Sequence, residues 1–256
     1  MTKTGRIVRG LGRLGAFLAV IFWAMAVYAL DRRNRRDAAG KARWLQRICR
    51  RALGAMAVAV ESRGEPARGA VIVANHVSYL DILLVASVTP VVFVSKKEVR
   101  GWPVFGWFAE KAGTRFIDRG RRGDVGRIAE QIGPVIADGL TVVLFLEGTT
   151  TDGRDVLPFK ASLLEPAVAQ GWPIVPAAVG YDVPPGRSPE REVCWWGDMT
   201  LLPHLFNLST LDWVRGKVNW GAPVTPAADR KTLAAELHAR VLRLKGSLKN
   251  TPARDA

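Results

Sequence analysis

The chain has 256 residues, of which 48% are hydrophobic and 23% charged, and it carries a formal net charge of +14. That length fits one large domain or two small ones, and the composition excludes an intrinsically disordered chain. The two cysteines, Cys49 and Cys194, are far apart in the sequence, which excludes a disulfide framework and a zinc-finger type of metal site.

The positive charge is concentrated at the amino terminus. Residues 1–51 contain 13 of the 37 Lys and Arg side chains but only two acidic ones, Asp31 and Asp37. The rest of the chain is close to neutral, since 24 basic side chains are matched by 21 acidic ones. Because the excess surrounds an apolar segment and no nucleic-acid-binding motif accompanies it, the pattern favours an anionic membrane surface over nucleic acid.

The apolar segment is Leu14–Leu30, which has 17 residues and no charged side chain. As a helix it would be about 25 Å long, slightly shorter than the hydrocarbon core of a bilayer. A basic stretch, residues 32–36, follows without a small-residue cleavage site, which favours a retained membrane helix over a cleaved signal peptide or a buried core helix. The sequence therefore predicts a membrane-anchoring segment over residues 1–50, spanning the membrane or entering one leaflet, and a globular domain over residues 51–256.

Short apolar runs alternate with amphipathic stretches along the globular part. The runs rich in β-branched residues, which we predict as buried strands, are Ala55–Val60, Ala70–Ala74, Val91–Val94, Thr141–Leu146 and Ile174–Val179. The predicted helices are Tyr79–Ser87, Val125–Ala137, Ala161–Ala169 and residues 230–248. Strands and helices in alternation indicate an α/β fold, with a mainly parallel sheet flanked by helices and preceded by the N-terminal membrane helix.

Of the three histidines, His76 has the sequence context of a functional residue, whereas His204 and His238 fit structural or solvated positions. His76 follows a predicted strand and precedes a predicted helix, and ligands of α/β sheets gather at such carboxyl ends of strands. Asp81 is five residues further on, so the two side chains meet only if His76 is in the loop and Asp81 in the first helical turn. The spacing from Ser78 to Asp81 is also typical of a helix capping box. The functional interpretation is a general base whose tautomer is fixed by a carboxylate, and the two interpretations are compatible.

Four sequence blocks, in order, resemble the glycerolipid acyltransferase family, which includes the 1-acylglycerol-3-phosphate acyltransferases. The first is the family's His-x4-Asp motif, at His76 and Asp81, and the second is Gly113-Thr-Arg-Phe-Ile-Asp-Arg119. The third is Phe145-Leu-Glu-Gly-Thr149, and the fourth is Pro176 within an apolar strand. Carried over to this sequence, the residues that the resemblance implies in substrate binding are Arg119, Glu147, Gly148, Thr149 and Pro176.

The resemblance implies a membrane O-acyltransferase. In such an enzyme His76 would deprotonate a lysolipid hydroxyl and Asp81 would orient the imidazole. The oxygen would then attack an acyl thioester on coenzyme A or acyl carrier protein. This step needs no metal ion and no cofactor, and we expect the enzyme at the inner membrane with its active site facing the cytoplasm.

The sequence gives conflicting indications about the acceptor. The arginines around Arg119 favour a phosphate, and hence acylation of the sn-2 hydroxyl of 1-acyl-sn-glycerol-3-phosphate to give phosphatidic acid. The third block, however, has Leu146 and Thr150 where the family usually has Pro and Arg, although Arg154 and Lys160 lie near enough in sequence to compensate. Lysophosphatidic acid is therefore the first prediction and lyso-ornithine lipid the alternative. The alternative of a different class is a non-catalytic, basic, membrane-associated binding protein.

Overall fold

The computed structural model describes residues 2–118, 124–226 and 229–249. The helices in these ranges are α1 (Lys3–Leu30), α2 (Arg33–Arg36), α3 (Ala38–Ala55), α4 (Leu80–Val88), α5 (Phe105–Lys111), α6 (Asp124–Ala137), α7 (Glu165–Gln170), α8 (Pro189–Glu192), α9 (Leu201–Ser209) and α10 (Arg230–Lys249). The strands are β1 (Val58–Arg63), β2 (Val71–Ala74), β3 (Val91–Lys96), β4 (Arg115–Ile117), β5 (Thr141–Leu144), β6 (Ile174–Asp182) and β7 (Val214–Trp220). Short 3₁₀ helices at Lys97–Gly101 and Ala161–Leu164 lead into α5 and α7.

The strands form one mixed sheet in the order β1-β7-β6-β2-β5-β3-β4. Neighbouring strands are parallel except for β6 and β7, which pair antiparallel. In the centre, Ile72 of β2 lies between Val143 of β5 and Val175 of β6. Every residue of β2 and β5 is buried, as expected for parallel strands that are covered on both faces. The mainly parallel α/β sheet predicted from the sequence is confirmed.

Helices cover both faces of the sheet. One apolar cluster contains Ile72 and Val143 and packs against α1, α3, α4 and α9. The other contains Val73 and Leu144 and packs against α6, α7 and α10. Because successive side chains of a strand point to opposite faces, even four-residue strands supply both layers of the core.

The four predicted helices are confirmed to within one residue at each end, as α4, α6, α10 and the 3₁₀ helix that continues into α7. The strand predicted over Ala55–Val60 is wrong in its first half. Helix α3 extends into this run, and β1 begins only at Val58, after a turn in which Ala57 has a φ of 53°. Since Leu53 and Met56 are buried, the apolar run first serves a packed helix face and only then a strand.

Strand β7 is not among the predicted strands because polar side chains interrupt its apolar pattern. The structure gives the donor groups of these side chains partners. The Lys217 ammonium contacts the Asp182 carboxylate at 2.5 Å and the carbonyl of Leu248 at 3.1 Å, and the Asn219 amide donates to Ser247 Oγ at 2.9 Å. Partners on β6 and α10 therefore allow a polar segment to form a buried strand.

Helix α1 is long and apolar enough to cross a membrane, by length and composition, and it begins well before the predicted Leu14–Leu30. Phe17, Trp23 and Tyr28 pack on the core next to α3, and Arg13 donates to the backbone carbonyls of Ser209 and Asp212 at 3.1 and 3.0 Å. The opposite face is exposed, with Phe22 at 68%. One apolar face of α1 is therefore packed along the body, and another is open.

Helix α3 runs without a break across residue 50, where the sequence analysis divides the chain. The Asp37 side chain caps its first turn by accepting the N–H of Gly40 at 2.6 Å. Gly40 has no room for a side chain, because a Cβ there would lie 2.2 Å from the carbonyl oxygen of Arg33. The helix buries Trp44 and Ile48 in the same cluster as the central strands, and the division at residue 50 remains a prediction.

Candidate active site

The candidate site lies at the carboxyl edge of the sheet, where the loop after β2 meets the ends of β5 and β6. Asn75, directly after β2, is buried, and its side-chain amide exchanges two hydrogen bonds with the backbone of Val179, at 2.8 and 3.1 Å. This bridge continues the β2–β6 pairing beyond Ala74, the last paired residue of β2. The backbone that leads into His76 is thereby fixed relative to β6.

His76 lies in the loop and Asp81 in the first turn of α4, which is the arrangement that their contact requires. His76 Nδ1 is 2.8 Å from Asp81 Oδ2. The same oxygen accepts the backbone N–H groups of Val77 at 2.7 Å and Ser78 at 2.9 Å, and Asp81 is fully buried. Because an ionised carboxylate only accepts, Nδ1 carries the proton and the lone pair of Nε2 is left for a second proton.

Half of the predicted capping box forms. The Asp81 carboxylate accepts the N–H of Ser78, as the motif requires. Ser78 Oγ instead accepts from the N–H of Leu80 at 3.3 Å, and Tyr79 is the residue directly before the helix. A single carboxylate oxygen therefore supports the start of α4 and contacts the imidazole of His76.

Phe145, the first residue after β5, holds the imidazole ring from one side. The two rings are stacked, with 4.0 Å between their centroids and 11° between their planes. Phe93 of β3 supports Phe145 at a centroid distance of 6.3 Å. The His76 side chain keeps 16% of its surface exposed, so the ring has a fixed plane and remains accessible.

Glu147 is two residues beyond Phe145 and is 2% exposed. Its Oε1 accepts the backbone N–H of His76 at 2.6 Å, and its Oε2 accepts the backbone N–H of Leu157 at 2.7 Å. Burial raises the pKa of this carboxyl, and the two backbone N–H groups oppose that shift. Both oxygens are thus directed at the backbone, and they tie the His76 loop to the long connection that follows β5.

A model of the acyltransferase family matches residues 56–180, which include these side chains. A lyso-ornithine lipid O-acyltransferase of Brucella abortus is 39% identical over 184 residues, 66% of this chain and 68% of its own. The Rhizobium meliloti protein of the same name is 34% identical over 219 residues, 79% of this chain and 75% of its own. The chain belongs to the acyltransferase family.

Two further relatives of this acyltransferase are named for a different acceptor. A 1-acyl-sn-glycerol-3-phosphate acyltransferase of Neisseria gonorrhoeae is 36% identical over 144 residues, 55% of this chain and 56% of its own. The crystal structure of the 1-acyl-sn-glycerophosphate acyltransferase of Thermotoga maritima superimposes with a TM-score of 0.73, covering 99% of this chain and 100% of that one at 20% identity. This superposition shows that the two chains share a fold. The family resemblance is confirmed, and the chain is an enzyme of the lysolipid acyltransferase class.

Gly148 of the acyltransferase ends the turn after β5, where its N–H bonds to the carbonyl of Phe145 at 3.2 Å, and Thr149 follows it. Gly148 is buried and has a φ of 78°, which glycine adopts without strain. Thr149 is exposed. The turn contains Glu147, whose carboxylate accepts the backbone N–H of His76. Arg119 lies outside the residues that the structure describes, so its role in substrate binding stays a prediction.

Pro176 of the acyltransferase lies within β6 and not at the edge of the sheet. It is buried opposite Val73 of β2, and its carbonyl accepts the N–H of Gly221 at 2.8 Å. These are the contacts of a core strand residue. The substrate-binding role that the resemblance implies for Pro176 also stays a prediction.

Arg154, which the sequence places near the third block, is already paired with carboxylates. Its guanidinium is 2.6 Å from Glu190 and 3.5 Å from Asp152. It borders a cleft of about 470 Å³ whose lining also includes Val77 and Tyr181. With two carboxylate partners, Arg154 adds no net positive charge to this side of the His76 loop.

Two buried polar residues of the candidate site, Asn75 and Tyr181, are not predicted from the sequence. The sequence does hold a signal for Asn75, because it lies between an apolar strand and His76. A polar amide directly after a buried strand indicates a hydrogen bond to the backbone of a neighbouring element. Tyr181 contacts Asp81 through its hydroxyl at 2.7 Å, across 100 residues of sequence. No local pattern predicts such a contact.

His204 has the structural environment predicted for it. Its Nε2 is 3.1 Å from the carbonyl of Cys194, and its Nδ1 is 3.0 Å from the hydroxyl of Tyr79. Because a carbonyl only accepts, Nε2 carries the proton and Nδ1 accepts from Tyr79. Burial lowers the pKa of His204, which keeps this ring neutral in its network.

Proposed function

We propose that this protein transfers a fatty acyl group from an acyl thioester to the free hydroxyl of a lyso-ornithine lipid, with His76 as the general base. The proposal rests on the contact between His76 Nδ1 and the buried Asp81 carboxylate. In the neutral ring this contact directs the proton to Nδ1 and leaves the lone pair on Nε2 of an accessible ring, which is what proton abstraction requires. The donors that the resemblance implies are acyl-CoA and acyl carrier protein, and the proposed step uses no metal ion or cofactor.

In the proposed step, the lysolipid hydroxyl gives its proton to His76 Nε2 while its oxygen attacks the thioester carbonyl carbon. The C–S bond breaks, the acyl group remains on the oxygen as an ester, and the leaving thiolate takes the proton from the imidazolium. Asp81 accepts the Nδ1–H hydrogen bond throughout and stabilises the imidazolium charge. Because Glu147 holds the backbone N–H of His76 at 2.6 Å, we assign it to positioning of the base and not to direct contact with the acceptor.

Two observations support lyso-ornithine lipid as the acceptor. The relatives that carry this name match a larger share of the chain than the Neisseria relative does. Thr150 stands where the family usually has an arginine, and Arg154 does not replace that cation because Glu190 and Asp152 balance it. An ornithine head group carries one carboxylate and one ammonium, so it requires less positive charge than a phosphate monoester does.

1-Acyl-sn-glycerol-3-phosphate is the second candidate acceptor, with its sn-2 hydroxyl as the nucleophile. The arginines around Arg119 favour it, since guanidinium groups bind phosphate strongly and directionally. If phosphate is the ligand, Arg119→Ala should raise the KM for this lysolipid far more than the KM for the acyl donor. If ornithine is the head group, Arg119→Ala should change the two KM values to a similar, small extent.

The acceptor is tested with the purified full-length enzyme in detergent micelles. Lyso-ornithine lipid, 1-acyl-sn-glycerol-3-phosphate and lysophosphatidylcholine are each assayed with acyl-CoA and with acyl carrier protein, and the ester product is identified by mass spectrometry. The proposal predicts the highest kcat/KM for lyso-ornithine lipid. Turnover of 1-acyl-sn-glycerol-3-phosphate with none of lyso-ornithine lipid would replace the first candidate by the second, and no ester with any acceptor would contradict the function.

We also propose that α1 holds the enzyme at the inner membrane, inserted into one leaflet, with the active site facing the cytoplasm, where both donors occur. The packing of one face of α1 along the body supports this arrangement over a span that leaves the body. Arg51 lies over the ring of Trp23 at 4.2 Å, an arrangement in which an arginine and a tryptophan suit the interface between lipid and water.

A further inference from the structure

Strand β6 is longer than its neighbour β2, and its additional residues reach past the His76 loop. The β2–β6 pairing ends at Ala74 and Ala177, after which β6 continues beside β7 through Val179 to Tyr181. Val179 holds the side chain of Asn75. Because side chains alternate along a strand, Tyr181 points to the same face as Val179, and both belong to the apolar cluster that contains Leu84 of α4.

The Tyr181 hydroxyl is 2.7 Å from Asp81 Oδ1, and both side chains are buried. The other carboxylate oxygen, Oδ2, accepts from His76 Nδ1 and from two backbone N–H groups of the loop. The two oxygens therefore accept hydrogen bonds from different partners. Oδ2 accepts from the loop and the imidazole, and Oδ1 accepts from Tyr181. Burial and the charge of Asp81 raise the pKa of Tyr181 well above its usual value, so its hydroxyl remains a donor.

Gly216 of β7 provides the space for this contact. A Cβ at Gly216 would lie 2.8 Å from Leu84 Cδ1 of α4 and 3.4 Å from the Tyr181 ring. The missing side chain lets α4 pack directly on the sheet, and Asp81 is one helical turn before Leu84. The tyrosine and the carboxylate therefore meet in a packed environment.

We propose that Tyr181 is a positioning residue of the catalytic pair, which fixes the plane of the Asp81 carboxylate so that Oδ2 faces His76 Nδ1. The inference rests on the proposed function, in which His76 is the base. Without a donor at Oδ1, the carboxylate can rotate about its Cβ–Cγ bond and offer His76 a different oxygen or plane. Tyr181 does not touch the reacting atoms, so its effect on the rate passes through Asp81.

The test compares Tyr181→Phe with the matched control Tyr79→Phe in the purified full-length enzyme. Each change removes one phenol hydroxyl and one hydrogen bond and keeps the ring, but the hydroxyl of Tyr79 contacts His204 Nδ1, at 3.0 Å, and not Asp81. We expect Tyr181→Phe to lower kcat about tenfold or more, as the loss of a hydrogen bond to a charged group allows. The KM values for lysolipid and acyl-CoA should change less than about twofold, because the lost interaction acts on the base and not on substrate binding. Tyr79→Phe should leave kcat within about threefold of the wild-type value, because the hydrogen bond that it loses goes to His204 and not to the Asp81–His76 pair.

A second comparison separates positioning from stability. Tyr181→Phe is introduced into an Asp81→Asn background, in which the carboxylate that Tyr181 orients is absent. A positioning effect disappears there, whereas a loss of folded protein lowers the residual rate equally in both backgrounds. If Tyr181→Phe does not yield folded enzyme, Tyr181→Met, which fills the same space without a hydroxyl, is compared in the same two backgrounds.

Each outcome decides the proposal. A fall in kcat that is specific to Tyr181 and vanishes beside Asp81→Asn supports it. Equal losses in Tyr181→Phe and Tyr79→Phe, a loss that persists in the Asp81→Asn background, or a change confined to KM overturns it. An unchanged Tyr181→Phe enzyme overturns this inference and leaves the acyltransferase function standing, whereas absence of acyl transfer by the wild type contradicts the function itself.

Discussion

The His76 loop and helix α1 are both packed against the body, but different interactions hold them there. The loop is fixed by buried polar side chains on other elements, since Asn75 bonds β6 and Glu147 bonds the backbone of His76. Helix α1 is held mainly by an apolar face on the core. Polar contacts of α1 that reach other elements include Arg13 with carbonyls at the end of α9 and the carbonyl of Ala24 with Trp44 Nε1 at 3.2 Å.

Because of this difference, the two regions tolerate different kinds of substitution. Hydrogen bonds are directional and weaken steeply when distance or angle changes, so the loop sets the orientation of His76 within narrow limits. Apolar packing and membrane insertion depend on area and volume, and they tolerate changes that conserve both. Substitutions that break hydrogen bonds of the loop should therefore change the catalytic rate. Substitutions of apolar side chains of α1 by polar ones should change membrane attachment or the stability of the fold.

Removal of residues 1–30 deletes α1 and should have the largest effect of these changes. It should show that the helix contributes both to membrane binding and to the stability of the fold. The truncated chain keeps residues 32–36, so its membrane binding should become weak and sensitive to salt, because screened charge is what remains. It also loses the packing of α1 on the core and the acceptor of Trp44 Nε1, so its Tm in detergent should fall by about 5 °C or more. Pelleting with liposomes at low and high salt and calorimetry measure the two effects.

The full-length chain is the control, and carbonate or high-salt washing should leave it in the membrane pellet. Quantitative release of the full-length chain would show that α1 is not embedded. An unchanged Tm after truncation would show that its packing on the body does not contribute to stability.

Glu147→Gln should reduce the rate without weakening acceptor binding. An amide has one oxygen to accept a hydrogen bond, so one of the two backbone N–H groups, of His76 or Leu157, loses its acceptor. We expect kcat to fall about tenfold to a hundredfold, with the lysolipid KM within about threefold of the wild-type value. Steady-state kinetics with a varied lysolipid concentration measure this.

Glu192→Gln is the matched control, because Glu192 is also buried but contacts Arg187 at 3.0 Å and Asn207 at 2.6 Å instead of the loop. It should lower stability and leave kcat per folded molecule unchanged. A raised lysolipid KM with unchanged kcat in Glu147→Gln would restore the acceptor-binding role that the resemblance implies.

Phe22→Ser should have the smallest effect, because Phe22 is 68% exposed. The Tm in detergent should stay within about 1 °C of the wild-type value, while binding to liposomes should weaken, since the exposed face is the one available to lipid. Phe17→Ser is the matched control, because Phe17 packs against the core and its loss should lower Tm. Equal Tm changes in the two variants would remove the distinction between a packed and an open face.

The sequence alone predicted the parts of this molecule that local patterns encode. β-Branched apolar runs located β2, β3, β5 and β6, and the spacing of His76 and Asp81 required a loop followed by a first helical turn, which the structure has. It did not predict β7, because Lys217 and Asn219 find their partners on β6 and α10. The role of Tyr181 is not predicted for the same reason, since its contact with Asp81 forms only when two elements 100 residues apart pack together.

The resemblance also gave Glu147 a task that its geometry does not favour. A motif records which residue type occurs at a position, and acidic residues at binding sites and at backbone anchors look alike in a sequence. Only the structure shows that both oxygens of Glu147 point at backbone N–H groups. These two contacts are the reason that we propose a positioning role for Glu147.

The central claim, that His76 is the base for acyl transfer to a lysolipid hydroxyl, is tested most directly with His76→Ala. Initial rates of ester formation are measured with lyso-ornithine lipid and acyl-CoA, beside acyl-CoA binding and Tm of the same preparation. We predict that kcat falls by at least about 100-fold, the lower end for loss of a general base. Acyl-CoA affinity and Tm should be unchanged, because the side chain is partly exposed and Asp81 keeps its backbone donors. A folded His76→Ala enzyme that acylates the lysolipid at the wild-type rate would contradict the claim.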